Sequence, residues 1–381
     1  MAGQVGPVGS PHSDDGLPAT DSDPTTPGIQ PPPGTGGDPD VPGTPGTELV
    51  RVFILQGHLQ RTALSCDGGR TWVADKDQAP PNSRCWEHPP GYTEIECDHQ
   101  TTAGRGVAFG NGWFVSNFGW GPAGAIFRSR NGIDWTSVKP GENYAATVFV
   151  DGRFIAISGS PVISDDNGAS WRAGGQLKDN VVGNVRQGGA GHVNGAATVV
   201  MSGDDGLAVS LDRGETWESR SVPKECRGGS GIRFGNGSIV LSNGDKHACV
   251  STDRGGSWMP VAFPGSAPSH LVWTGTEFMA WGWTVDGTRS VFRSTNGLSW
   301  TTTPTRLAGS AEAVPSVGTV TYSGGVLAAA NDGWGDWYER QRFYRSEDGV
   351  TWELLAPEKY TGSHPVRNMA SALVSPEHAC R

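Results

Sequence analysis

Charge is scarce in this chain. Only 18% of its 381 residues are Asp, Glu, Lys or Arg, and the net charge is −10. An acidic surface argues against non-specific binding to nucleic acid and against docking on anionic lipid. No apolar run approaches the ~20 residues that a membrane-spanning helix needs. The helix formers Leu, Glu and Lys are sparse. HxH and HExxH spacings are missing, so no metal site is expected. There is no P-loop, no Rossmann fingerprint, no GxSxG elbow and no CxxC pair, and no cofactor is expected. What the chain does have is Gly, at 57 residues, and Trp, at 15. That balance suits many short strands joined by Gly-rich turns.

Residues 1–47 lack even more. They hold six Asp but no Lys, Arg or aromatic residue, and read largely as "PGIQPPPGTGGDPDVPGTPGT". Such a segment cannot bury enough apolar surface to offset its ordering entropy. It is expected to be a disordered, partly extended stalk or linker. The opening "MAGQVGPVGS" has neither the basic nor the apolar region of a secretory leader. Six cysteines in such a chain nonetheless suggest an oxidising compartment. The expected setting is extracellular or cell-surface, as a secreted or lipid-anchored chain whose leader is not present here.

One phrase recurs seven times: "SCDGGRTW" (65–72), "SRNGIDW" (129–135), "SDDNGASW" (164–171), "SLDRGETW" (210–217), "STDRGGSW" (251–258), "STNGLSW" (294–300) and "SEDGVTW" (346–352). Each makes sense as a hairpin corner. Ser ends a strand, and the Asp or Asn collects nearby backbone N–H groups. Gly takes a positive φ. The closing Trp lays its apolar face on the neighbouring repeat. Ahead of most copies lies a second pattern, strand–turn–strand, as in "GVAFGNGWFVSN" and "TVFVDGRFIAIS", where the NG and DG pairs signal tight hairpins.

Each repeat therefore holds four antiparallel strands, A to D, and seven repeats predict an all-β, seven-bladed β-propeller over 48–381. The first repeat lacks an A strand. A spare strand near 366–375 is expected to complete it and close the ring, leaving no open sheet edge.

The octapeptides resemble Asp-box repeats, also called bacterial neuraminidase repeats, with the pattern Ser-x-Asp-x-Gly-x-Thr-Trp. The resemblance covers 48–381 and implies a propeller. It leaves activity open, because sialidases, xyloglucan-active hydrolases, sortilin-type receptors and photosystem assembly factors share the box. It also implies that the boxes lie on the face away from any active site. Asp67, Asp166, Asp212, Asp253 and Asp348 are accordingly expected to hold turns. Sialidase activity is not expected, since those propellers have six blades and an Arg-Ile-Pro motif that this chain lacks.

The strand order sorts the loops. A–B and C–D turns share one face, the bottom, and D–A and B–C loops share the top. Functional residues belong on loops held by a rigid scaffold, and the top loops are the richer ones. They include the insert 80–102 and the B–C loops 281–290 and 331–342. Trp120, Trp281, Trp283, Trp334 and Trp337 are expected there as sugar-stacking platforms. Arg105, Arg186, Arg233 and Arg367 enter the channel region, where a guanidinium can pair with a carboxylate. Carboxylates near the mouth include Asp204, Asp205 and Asp245. With His192, His270 and Tyr338, the residues Asp205 and Asp245 are the candidate catalytic groups, the histidines being placed at or just before A strands.

Two functions stay open at this point. One is a glycoside hydrolase or polysaccharide lyase acting at the top face on a polysaccharide, acidic or not. The other is a non-catalytic propeller that binds a glycan or a protein. A monomer is expected in either case. Three disulfides follow from the faces: Cys85 with Cys97 in the insert, Cys226 with Cys249 at the top of one blade, and Cys66 with Cys380 at the bottom of the first.

Overall fold

The computed structural model describes residues 49–57, 62–74, 104–119, 124–177, 182–229, 231–242, 247–266, 270–314, 317–331, 342–356 and 368–379. They form seven antiparallel sheets in chain order around a ring. Blade 2 has the typical plan. Its strands Gly104–Gly110, Trp113–Phe118, Ala125–Ser129 and Thr136–Pro140 pair each with the next.

Asn-Gly and Asp-Gly pairs explain the A–B corners. Asn111 and Gly112 have φ of 51° and 75°, and Asp151 and Gly152 have 45° and 80°. Two successive positive φ values make a type I′ turn, whose twist matches that of the flanking strands.

Blade 1 is built from both ends of the chain. Its inner strand is Asn368–Val374, which runs antiparallel to Val50–Gln56 from the Val50–Val374 pair to the Gln56–Asn368 pair. The spare C-terminal strand thus closes the ring. Blade 7 departs from the four-strand expectation. After blade 6 the chain doubles back, and Arg306–Leu307 lies parallel to the outer strand Thr351–Leu354. The N–H groups of Arg306 and Ala308 donate to the carbonyls of Val350 and Trp352 at 2.9 and 2.8 Å. An outer edge that would otherwise display free backbone groups is covered.

Among the described residues, seven core clusters each fill one junction between neighbouring blades, and a further one, around Phe118, Ala125 and Phe127, lies within blade 2. Every box tryptophan joins the cluster shared with the preceding blade. Trp72 packs at the 7–1 junction, stacked on Phe343 at 4.9 Å, and Trp352 packs at the 6–7 junction. Both are essentially inaccessible to solvent. The box glycines approach the same neighbour. A Cβ on Gly255 would lie 2.7 Å from Val209 of blade 4, and its φ is 81°. Only glycine meets both demands.

Candidate functional site

The bottom face is occupied by its own turns. In the fourth box, the Ser210 hydroxyl donates to Asp212 Oδ1 at 2.8 Å. Thr216 donates its N–H to Oδ1 at 2.9 Å and its hydroxyl to Oδ2 at 2.6 Å. The boxes at Asp67, Asp166 and Asp253 repeat this pattern. Desolvation alone would raise the pKa of Asp166. Hydrogen bonds from Ser170, Ser164 and the Ala169 N–H outweigh it and hold the carboxyl at about 2. Asp67, Asp212, Asp253 and Asp348 are lowered by the same balance. These carboxylates are spent on turn geometry.

The residue before the box glycine ties blades together. Arg213 donates to the carbonyl of Asp151 at 3.0 Å, and Arg254 to that of Ala197 at 2.7 Å. Arg153 bridges Asp165 at 2.6 Å and Glu215 at 2.8 Å, joining blades 3 and 4.

His192 belongs to this face too, which corrects its expected place at the start of an A strand. The inner strand of blade 4 is Val185–Val193, so His192 lies at its far end, with Nε2 2.9 Å from Asp151 Oδ1. The glycines of "VRQGGAGHV" hid the strand from a propensity reading. They are needed because a Cβ on Gly189 or Gly191 would press on Ile232 or Phe234 of the next inner strand. His192 and His270 therefore do not converge.

The top face holds a cleft of ≈ 260 Å³ over blades 2 to 4. Arg105 and Arg186, each the second residue of an inner strand, supply its cations. Asn143, Ser158 and Asn184 supply neutral donors and acceptors, and Gly119, Tyr144, Ala145, Gly159 and Val185 complete the described wall. No carboxylate and no histidine is among these lining residues. Burial, with the nearby Arg186 charge, lowers the Arg105 pKa. Arg186 is held by a bidentate pair, Nε to Asp204 Oδ1 at 2.6 Å and Nη2 to Oδ2 at 2.9 Å. Asn184 donates to the same carboxylate at 3.2 Å. Burial raises the Tyr144 pKa, and the hydrogen bond that its hydroxyl gives Glu142 raises it further. A tyrosine held this way is a poor base. Asp205 is exposed, donates its N–H to the Val182 carbonyl at 3.0 Å, and is not part of the lining.

A smaller hollow of ≈ 40 Å³ lies at the top of blades 6 and 7, beside Trp283 and Arg289. Trp283 is 45% exposed, and the Arg289 guanidinium covers one ring face at 4.2 Å. Trp281 does not share that setting. The strand Phe278–Trp283 runs further than expected, so Trp281 is a strand residue only 6% exposed. Its Nε1 donates to the Gly349 carbonyl at 2.9 Å, and its ring meets Trp352 edge-on at 5.6 Å. This corrects its reading as a loop platform: it is part of the 6–7 core.

Nearer the axis, Arg233 sits mid-strand in Gly231–Gly235 and His270 immediately precedes Leu271–Trp273. Cys226 and Cys249 form the expected disulfide, fully buried, with Cα atoms 5.6 Å apart. Cys66 is disulfide-bonded, and it packs into the same cluster as Ala379. Cys85, Cys97 and Cys380 lie outside the described residues, as do the stalk 1–47, Trp120, Asp245, Trp334, Trp337, Tyr338 and Arg367. Among the described residues no three His, Cys, Asp or Glu side chains come together as a metal site. No helix among them is long and apolar enough to cross a membrane.

No family model matches the chain, and no curated protein does. Solved structures share its architecture. A candidate 6-phosphogluconolactonase from Bacteroides uniformis aligns with TM-score 0.54 and 9% identity, over 85% of this chain and 100% of that one. Its counterpart from Bacteroides fragilis gives 0.53 and 9%, over 87% and 99%. YCF48 from Cyanidioschyzon merolae gives 0.48 and 13%, over 72% and 95%. At such identities the likeness is one of fold alone.

Proposed function

We propose that the chain is an Asp-box propeller that binds an acidic polysaccharide at its top face, through the cleft over blades 2 to 4. The observation that carries this reading is the lining itself: two arginines, two asparagines and a serine, with no carboxylate or histidine among them. Guanidinium groups suit uronate carboxylates, and amides and hydroxyls suit ring hydroxyls. The same lining offers no acid–base pair, which favours binding over hydrolysis or elimination at this cleft. Trp283 is a further contact on blade 6, and the same reading assigns contacts to Trp334, Trp337 and Arg367, which lie outside the described residues. Residues 1–47 serve as the stalk that holds a monomeric propeller outside the cell. The Cys226–Cys249 disulfide suits an oxidising compartment.

A glycan array paired with assays for new reducing ends and for unsaturated uronate tests this. Retention of uronate-bearing chains with no turnover is the expected result. Turnover of any glycan would make the chain an enzyme. Failure to retain any acidic glycan at low salt would remove the proposal.

A further inference from the structure

We propose that Arg233 and His270 form an oxyanion site on the propeller axis, between blades 5 and 6 and separate from the cleft over blades 2 to 4. The inner strands of blades 5 and 6 are neighbours, and both residues are partly open to solvent. In the strand Gly231–Gly235 only Arg233 has this access, while Ile232 and Phe234 pack between blades 4 and 5.

The guanidinium is left uncompensated. Its one hydrogen bond among the described residues goes to the carbonyl of the preceding residue, Ile232, at 2.8 Å. No described carboxylate pairs with it, whereas Arg186 has Asp204 and Arg153 has Asp165 and Glu215. Nor do the described inner strands supply one. The described inner strands carry three arginines and His192 but no Asp or Glu, in a chain whose net charge is −10. A guanidinium partly withdrawn from water without a described counter-charge carries a cost, and an incoming anion lowers it.

His270 adds the second donor. Burial, with the Arg233 charge, pushes its pKa down to about 4, so near neutrality the ring is neutral and keeps one N–H. An oxyanion between the two groups takes N–H bonds from both. It also stabilises the imidazolium, so binding raises the His270 pKa. The shared ligand chemistry is a small oxyanion. It has two sources, a free inorganic anion or a carboxylate of a chain lying across the top face. The second rests on the function proposed above and the first does not.

The test follows the histidine Cε1 resonances of the whole chain by NMR near pH 7. Sodium phosphate and a short oligogalacturonate are the two probes, with sodium chloride at matched ionic strength as the control. The His270 resonance is the one lost in His270→Asn. A saturable shift with phosphate, absent with chloride, is expected, together with a His270 pKa that is higher in phosphate than in chloride. Arg233→Gln should abolish the shift and Arg105→Gln should spare it. If Arg233→Gln does not fold, Arg233→Lys should fold and bind roughly ten-fold more weakly, having lost the planar fork. A shift with oligogalacturonate but not phosphate supports the site and identifies the carboxylate as its ligand. A phosphate shift without retention of acidic glycans supports it and removes only the polysaccharide reading. If neither probe moves His270, or if Arg105→Gln abolishes the shift as fully as Arg233→Gln, the axial site is overturned.

Discussion

The two faces of this propeller spend their charged residues differently. On the bottom, the box carboxylates face inward to their own turns, and the arginines within the boxes grip the preceding blade. Asp212 is met by Ser210 and Thr216, and Arg213 reaches Asp151. On the top, Arg105 and Arg186 point into an open cleft that brings them no lining carboxylate. The difference teaches how to separate roles in a repeat protein. A charged side chain whose partners lie within its own repeat or a neighbouring one is holding the ring. A charged side chain that lines a surface cleft, as Arg105 and Arg186 do, is placed to meet a ligand.

That contrast can be broken at several points. The largest effect belongs to the core of the turns. Trp352→Ala should cost about 3–5 kcal/mol, as for other buried large-to-small aromatic changes, because Trp352 is 0% exposed. Urea unfolding at unchanged m-value would measure it. Next comes Asp212→Ala, which strands donors that Ser210 and Thr216 supply, at about 1–3 kcal/mol. Binding at the top face should be unaltered in that variant, since the turn lies on the other face.

Acid offers a milder probe of the same face. The box carboxylates are depressed in the fold, Asp166 from 3.8 to about 2. A depressed carboxyl adds stability that is present above its unfolded pKa and lost as pH falls through the folded one. Stability should therefore decline as pH drops from about 4 towards about 2, and Asp166→Asn should flatten that part of a thermal-unfolding profile. Trp283→Ala sits at the small end. Its ring is 45% exposed, so stability should move by no more than ~0.5 kcal/mol. Affinity for an acidic glycan should fall a few-fold, by loss of one stacking surface.

The same contrast explains what could be read from sequence. The bottom face writes itself into short contiguous phrases, because a turn is a local object. Its Ser, Asp, Gly and Trp must follow one another at fixed spacing, so blade number and ring closure by Asn368–Val374 were legible. The Cys226–Cys249 pair was legible because strand order places both residues at one end of blade 5. The top face is assembled from residues far apart in the chain. Arg105 and Arg186 could each be placed at the top, but not their meeting with Asn143 and Asn184. His192 was misplaced because three glycines broke the alternation of a nine-residue strand. Trp281 was misplaced because "FMAWGW" continues the strand: the period of two puts Trp281 and Trp283 on one face, and only Trp283, the last residue, reaches the exposed rim. The edge strand Arg306–Leu307 had no signal, since a two-residue parallel pairing leaves no pattern.

The claim that the top cleft is the binding surface is tested most directly by calorimetry on the double variant Arg105→Gln/Arg186→Gln with a short oligogalacturonate. Two charge-assisted contacts at about 1.5–3 kcal/mol each predict a loss of at least roughly a hundred-fold in affinity. A single cooperative thermal transition should be kept, which shows that the double variant is folded. Undiminished affinity in a folded double variant would contradict the account.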